Sequence, residues 1–491
     1  MEMLYVEPIR YLLVGILAVA LLETGCTLKP GKGTLAAPSA GTEVMEPRRP
    51  IRHEEYEIED LRRIPQDLGR LAVAAGDRLN LPGECRSYLL DEFRQHYFAP
   101  WGAPGPGEEP AEIRDYMRQQ GRGTWYGPNQ RKVPRRELRE ILDNCALEGF
   151  PSRSVPAVAV APAHLRGLPS YQPLYKSPDD APFDMISYPQ VKLNEPLRVR
   201  HASADGVWLF VETAYSNGWL ERRDVAAFNP GQVADWIGGR FLVVTQDYAP
   251  VPDGKGVGVF RCKVGTLLPL IREDAEEWQV AVASAGEGGG AEIRRVALPK
   301  TAAAPFPVPF RPAEIALVGN QMLGEPYGWG EIYDLRDCSA LLRDFFLPFG
   351  IWLPRTSSDQ IASTPGRADL TALPPARKEE LIKKSPPFLT LLFKPGHIML
   401  YVGLDPQGRP LVFHGAWSIR LKEGVAPRSG NGEGGEHPAQ RTQIIGLSAI
   451  TTLEPGKELG LVPGASLLEK ASALGALSAR CPAAIPDIPS R

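Results

Sequence analysis

Hydrophobic positions along the chain change period several times, and each change marks a different kind of element. Between Tyr56 and about Pro151 they recur at intervals of three and four, as in Leu89, Leu90 and Phe93 or Leu138, Ile141 and Leu142, which predicts amphipathic helices. Pro134 near the start of the second stripe and Gly149 near its end set its limits. From about Leu165 the period falls to two. Leu197 and Val199, then Trp208 and Phe210, alternate inward around a turn at Asp205-Gly206, and Gly218-Trp219 follows. A second run of this kind extends from about Gly238 to Leu298, with Gly265 at a turn and Trp278, Val280 and Val282 alternating. Short strands broken by turns in this way predict two small all-β units. After the Pro-rich stretch LPKTAAAPFPVPFRPAEIA, which reads as a linker, the helical period returns once. Leu341, Leu342, Phe345 and Phe346 follow an N-cap residue, Asp337, so Cys338 falls in the first turn of a helix. Two strands come next. His397, Met399 and Tyr401 share one face of the first, and Val412 and His414 one face of the second. A tight turn at Asp405-Pro406-Gln407-Gly408, pairing Asp405 with Gly408, would set Met399 opposite His414 and His397 diagonal to it, within reach of an imidazole pair. A bulge or one-residue slip would undo that arrangement.

Composition narrows the field. The chain has 491 residues, more than one core organises, so three or four domains are expected at about 100–200 residues each. Its 55 Lys and Arg against 58 Asp and Glu, spread along the chain, leave no basic footprint for nucleic acid. GEGGG at 286–290 and GNGEGG at 430–435 lack the following Lys-Ser/Thr of a phosphate loop and read as flexible loops. At the N-terminus Arg10 precedes an apolar run from Tyr11 to Leu22, too short to span a bilayer comfortably, which reads as a signal peptide. Thr24-Gly25-Cys26 resembles the end of a bacterial lipoprotein processing site, with Cys26 as the lipidated residue and hence a membrane anchor. Glu23 departs from that pattern, and Glu2 and Glu7 weaken the basic start. Residues 27–54, rich in Pro, Gly and charge, suit a disordered tether.

Six cysteines, at 26, 85, 145, 262, 338 and 481, form no CxxC pair. Cys338, His397 and His414 number three, but without local ligand pairs no metal or cofactor is expected. Cys85 and Cys145 lie in one helical region and either pair with each other, if exported, or remain separate buried thiols. His96 reads as a packed or surface histidine. A cysteine at a helix start, where the dipole favours a thiolate, plus two histidines on one sheet face, is what a thiol hydrolase needs: a nucleophile, a base and a group that orients the base.

PYGWG, then DCS, then LPR with Gln360 after it, then Gly-His at a strand start and a further His before Gly-Ala-Trp together resemble the NlpC-type papain-like cysteine peptidases of bacterial cell walls. The likeness is to the multidomain branch with SH3-like modules. It implies a multidomain fold: a signal peptide at 1–26, the tether, an α-helical stabilising domain at 55–160, SH3-like β-barrels at 165–232 and 235–299, an α+β papain-like catalytic domain at 312–453, and a C-terminal helix and tail at 454–491. In the tail the amphipathic SLLEKASALGAL is expected to dock on the catalytic domain, ahead of a disordered-looking CPAAIPDIPSR. The resemblance further implies cleavage of the γ-D-glutamyl-diamino acid bond of peptidoglycan stem peptides or muropeptides by an exported, monomeric enzyme. Cys338 would attack, His397 act as base, His414 hold the His397 ring, and Tyr327 serve the oxyanion. Asp337 and Ser339, with Tyr215 from the first barrel and Trp329, Arg355 and Ser357 around them, would hold the substrate, favouring a free N-terminal L-Ala. Thr356 stands where many relatives carry Asp, which loosens that preference. An amidase or acyltransferase of the same fold, and a non-catalytic wall-binding scaffold, are the competing readings.

Overall fold

The computed structural model describes residues 58–102, 110–422 and 440–481, so the expected signal peptide, Cys26 and the tether lie outside the described residues. Helices Glu59–Arg63, Leu68–Ala75, Gly83–Tyr97, Pro110–Arg122 and Arg135–Asn144 come first. Leu89 and Phe93 are the inward face of the third, each 1% exposed, as their spacing demands. A seven-stranded sheet follows, and it starts ahead of Leu165, with strand Val155–Ala159 pairing Ala157 with Leu197 and Ala227. Alanines at buried strand positions give little hydrophobic contrast, which hides this strand from a pattern reading. After helix Pro230–Gly238, opened by a capping box of Asn229 and Gln232, a five-stranded sheet runs from Phe241 to Pro305.

In the last region helix α1 (Cys338–Phe346) packs on an antiparallel sheet. Its strands are β1 (Ala368–Asp369), β2 (Thr390–Lys394), β3 (His397–Leu404), β4 (Pro410–Lys422), β5 (Gln440–Thr452) and β6 (Ala473–Ala476), in the spatial order β1-β6-β2-β3-β4-β5. Phe345 of α1 meets Phe413 of β4 at 5.9 Å between ring centres. Trp352, just beyond α1, stacks on His96 at 4.9 Å and on Tyr215 at 4.3 Å, so the helical region, the first barrel and this region share one apolar core.

Three expectations change. The segment after Ser466 is helical for one turn only, Leu467–Lys470; Ala473–Ala476 is a strand that fills the gap between β1 and β2, where open backbone groups on both sides outweigh its helical spacing. Cys85 pairs with Cys481, not with Cys145, across a Cα separation of 5.1 Å, while Cys145 stays a buried free thiol. The β3–β4 turn keeps the expected bond from the Gly408 N–H to the Asp405 carbonyl, at 2.9 Å, but the ladder closes one residue later, the Asp405 N–H donating to the Arg409 carbonyl at 3.0 Å. A bulge between Tyr401 and Gly403 restores the register, so that Tyr401 faces Val412 and Leu400 faces Phe413. Among the described residues no helix is long and apolar enough to cross a membrane.

Candidate active site

Asp337 caps α1 by accepting from the backbone N–H groups of Ser339 at 3.1 Å and Ala340 at 2.9 Å, which fixes Cys338 as the first helical residue. Cys338 is 6% exposed. Burial pushes it up to about 12 and the Asp337 charge adds to this, against the pull of the Ile398 N–H, Arg355 and the Ser339 N–H. The expected depression of the thiol is therefore reversed. A helix N-terminus contributes at most about 2 kcal/mol to a thiolate, less than desolvation takes away here. The Cys338 backbone N–H is directed at the Tyr327 hydroxyl, which burial holds protonated far above the ordinary phenol range. Two donors thus stand side by side at the nucleophile. Gly415 of β4 packs against both, its Cβ direction 3.5 Å from the Cys338 backbone and from the Tyr327 ring.

The histidines meet as the strand faces predict: His397 Nε2 lies 2.9 Å from His414 Nδ1. His414 Nε2 lies 2.9 Å from Thr451 Oγ1 on β5, and the Thr451 hydroxyl donates to the Thr452 carbonyl at 2.7 Å. A carbonyl only accepts, so the one hydroxyl proton is committed and Thr451 faces His414 as an acceptor. His414 therefore carries its proton on Nε2, its bare Nδ1 accepts from His397 Nε2–H, and His397 Nδ1 is left free to take a proton. Burial, then His414 and Lys394, hold His397 well below the usual imidazole range. Burial and Lys394 push His414 down to about 3. At rest the set is a neutral thiol beside two neutral imidazoles. Thr451 was invisible to sequence reasoning, because it sits 37 residues beyond His414 on a different strand.

The other predicted residues divide. Arg355 donates to Asp337 Oδ2 at 2.6 Å and Oδ1 at 3.2 Å and to Ser339 Oγ at 2.8 Å, and its Nε lies 2.9 Å from Glu331. Asp337 and Ser339 are thus already engaged by a guanidinium. Gln360 donates to the Ser339 and Pro354 carbonyls, bracing the helix start against the segment that carries Arg355. Burial would raise the Glu331 carboxyl, but Arg343 and Arg355 hold it well below its usual range. Glu331, Tyr333 and Asp334 adopt φ between 58° and 66°, a strained run for side-chain-bearing residues. The run is pinned by the Glu331 ion pairs and by Gln190 of the first barrel, which donates to Asp334 at 2.6 Å. Gly330 admits no Cβ, since one would stand 2.5 Å from the Ser187 carbonyl of that barrel.

Tyr215 does not face this group: it lies flat on Trp352 with Arg343 4.9 Å above its ring. The aromatic that the first barrel brings to the site is Phe183, 5.2 Å from Trp329 and 5.3 Å from Trp417, with Trp417 in turn 5.7 Å from Tyr327. Phe183 lies in an irregular Pro-rich loop without periodicity, so only its loop position could have pointed to it. Ser357 opens the helix Ser357–Ala362, capped by Thr356, and makes no hydrogen bond to the other candidates.

Comparison with known sequences finds the N-terminal NLPC_P60 stabilising domain at residues 15–150, an SH3 domain of SH3b1 type at 173–221, one of SH3b2 type at 229–275 and the NlpC/P60 family at 324–418. No curated protein matches the chain. Among solved structures, an NlpC/P60 endopeptidase from Photobacterium damselae subsp. piscicida is similar over 84% of this chain and 97% of its own, at 19% identity and a TM-score of 0.74. An NlpC/P60 family protein from Bacillus cereus ATCC 10987 aligns over 65% of this chain and 98% of its own, at 17% identity and a TM-score of 0.42.

Proposed function

Because the chain belongs to the NlpC/P60 family, with a helical stabilising domain and two SH3-like domains ahead of a cell-wall cysteine peptidase fold, we propose that it cleaves the γ-D-glutamyl-diamino acid bond of peptidoglycan stem peptides. The observation that carries this reading is the hydrogen-bonded line from His397 through His414 to Thr451, set beside a cysteine at a helix start.

In this reading the Cys338 sulfur attacks the γ-carbonyl carbon while His397 Nδ1 takes the thiol proton. With the thiol up near 12 and the imidazoles low, no resting ion pair forms, and the proton moves as the carbon–sulfur bond does. The carbonyl oxygen, now negative, is met by the Cys338 N–H and the Tyr327 hydroxyl. His397 returns the proton to the departing amine, leaving a thioester. Water, deprotonated by His397, then attacks the thioester, releasing the D-glutamyl γ-carboxylate and the thiol.

A free L-Ala amine would have to compete with Arg355 for Asp337 and Ser339, and Phe183 has no hydroxyl to offer it. The preference for free peptides is accordingly small. Mass spectrometry of products from L-Ala-γ-D-Glu-diamino acid tripeptides, free and N-acetylated, tests both statements. Cleavage at the γ-glutamyl bond, lost in Cys338→Ala, with kcat/KM on the two forms within about tenfold, is expected; cleavage at another bond refutes the proposal.

The Cys85–Cys481 bond suits an oxidising compartment outside the cytoplasm, in line with export and attachment through Cys26. Recovery of the intact protein in the cytosolic fraction would overturn that placement.

A further inference from the structure

The Tyr327 hydroxyl and the Cys338 N–H, the two donors that stand at the nucleophile, come from opposite ends of one loop. Residues 324–327 run along β5, with the Gly324 N–H donating to the Ser448 carbonyl at 2.9 Å and the Tyr327 N–H to the Gly446 carbonyl at 2.8 Å. The chain then leaves the sheet and returns at Arg336, whose carbonyl accepts from the Gly328 N–H at 3.0 Å. Tyr327 therefore stands where the excursion begins and Cys338 just past where it ends. Whatever holds the neck of this loop sets the spacing of the two donors.

Part of that hold comes from the second barrel. Asp247 and Tyr248 form the turn between its strands Phe241–Val244 and Ala249–Pro252. Asp247 takes the Arg336 guanidinium in a two-pronged bond, at 2.8 and 2.9 Å. The Tyr248 hydroxyl oxygen lies 2.8 Å from Glu325 Oε1 and 2.8 Å from the Asp334 carbonyl oxygen. One hydroxyl proton is thus shared between acceptors on the two arms of the neck, one ahead of Tyr327 and one ahead of Cys338. Both residues of the Tyr248–Asp334 bond lie in the left-handed region, at φ 57° and 58°. Side-chain-bearing residues stay there only where surrounding contacts over-determine them, and such positions gather at functional sites. Packing one domain on another requires no such strain.

We propose that Tyr248 is a positioning residue for the reaction: by tying the two arms together it holds the Tyr327 hydroxyl at the distance from the Cys338 N–H at which both reach the oxyanion. The second barrel thereby acts on catalysis without touching the substrate. The inference rests on the reading of Cys338 as nucleophile and Tyr327 as oxyanion donor, and is independent of which peptide is cleaved.

The test is a double-substitution cycle on the full-length protein, with rates normalised to the folded fraction measured by circular dichroism. Tyr327→Phe removes one oxyanion donor and should lower kcat on the L-Ala-γ-D-Glu-diamino acid tripeptide about a hundredfold. Tyr248→Phe removes only the clamping hydroxyl and should lower kcat about tenfold, with KM within about twofold of the wild type. The ring it keeps is half-buried, so the variant is expected to fold. In Tyr327→Phe/Tyr248→Phe the second change should cost less than about twofold, because the donor it positioned is already gone. An equal loss in both backgrounds, as a merely structural role would give, overturns the proposal, and so does an unchanged kcat in Tyr248→Phe. Release of p-nitrophenolate from p-nitrophenyl acetate supplies a second readout, since acylation of Cys338 by this ester also passes through an oxyanion and asks nothing of a stem peptide. Should the tripeptide go uncleaved while the ester shows the same non-additive cycle, the endopeptidase reading fails and the positioning role stands. Cleavage of the tripeptide with additive losses leaves that reading intact and refutes the positioning role.

Discussion

Two buried polar systems meet at the start of α1, and they are built on opposite principles. His397, His414 and Thr451 form a line of neutral groups, each giving one proton in one direction. Around Asp337, by contrast, lies a mesh of ions. Arg355 joins Asp337 to Glu331, Arg343 joins Glu331 to Asp344, and Arg336 joins Asp344 to Glu325 and to Asp247 of the second barrel, while Lys192 of the first barrel also reaches Asp344. A neutral line takes up a proton at its open end, His397 Nδ1, without breaking any of its hydrogen bonds. An ion mesh does the reverse: each member is costly to remove, so it fixes position and orientation and adds little net stability over apolar packing. Proton movement and geometric fixity are thereby assigned to different residues, and the mesh extends the second task to both barrels.

The sharpest way to break this contrast is to remove a hub of the mesh. Arg336→Met takes the shared guanidinium from Asp247, Glu325 and Asp344, although Asp344 keeps Arg343 and Lys192, and should cost about 3–5 kcal/mol, seen as an earlier denaturant midpoint and as new protease cuts between the barrels and the catalytic region. A midpoint like that of the wild type would mean that the ions do not hold the domains. A smaller effect is expected from the neutral line. Thr451→Val leaves the His414 Nε2–H without an acceptor and should lower kcat about tenfold, roughly 1.4 kcal/mol, with KM little changed. Thr451→Ser should restore the rate, and the imidazole 15N shifts should show protons on Nε2 of both histidines in the wild type. Observation of an Nδ1–H tautomer at His397 would contradict the relay.

Acid separates the two systems in a graded way. His414 titrates at about 3 when folded and near 6.5 when unfolded, so above about pH 6.5 it contributes nothing to the pH dependence. Below that the unfolded chain takes up a proton that the folded one refuses, and stability falls as pH drops, by up to about 1.4 kcal/mol per pH unit. His397, also held low, acts in the same sense. The lowered carboxylates of the mesh, Asp247, Glu331 and Asp344, keep their contribution until pH falls through the ordinary carboxylate range near 4. Denaturation midpoints should therefore begin to fall between pH 6.5 and 5, and the slope there should flatten in His414→Gln. A flat wild-type profile down to pH 4.5 would show that the histidines do not titrate as described.

What could be read from the chain follows from how local each signal is. The start of α1 was legible because a cap residue and four apolar positions lie within ten residues. The histidine face was legible because strand alternation and a short turn determine it, although the ladder closes one residue later than expected and the bulge at Tyr401 and Gly403 compensates. Thr451, Phe183 and the partner of Cys85 were not legible, since each reaches its place through tertiary pairing over tens to hundreds of residues. The protonation of Cys338 was misjudged for a related reason. A helix start is visible in sequence, whereas the burial that outweighs it belongs to the assembled fold.

The position of β6 gives the catalytic sheet an order in time. β2, which pairs with the strand carrying His397, borders β6 on its other side, and β6 comes from residues made after every other strand of the sheet. A chain emerging from its N-terminal end can form the first helices, both barrels and the β3–β4 hairpin while one edge of β2 is still bare. Only when residues 473–476 have arrived is that edge covered, and only with Cys481 is the end of the sheet tied back to a helix begun nearly four hundred residues earlier, at a sequence separation of 396. A growing or threading chain thus holds its cysteine and histidines for some time before the sheet around them is closed.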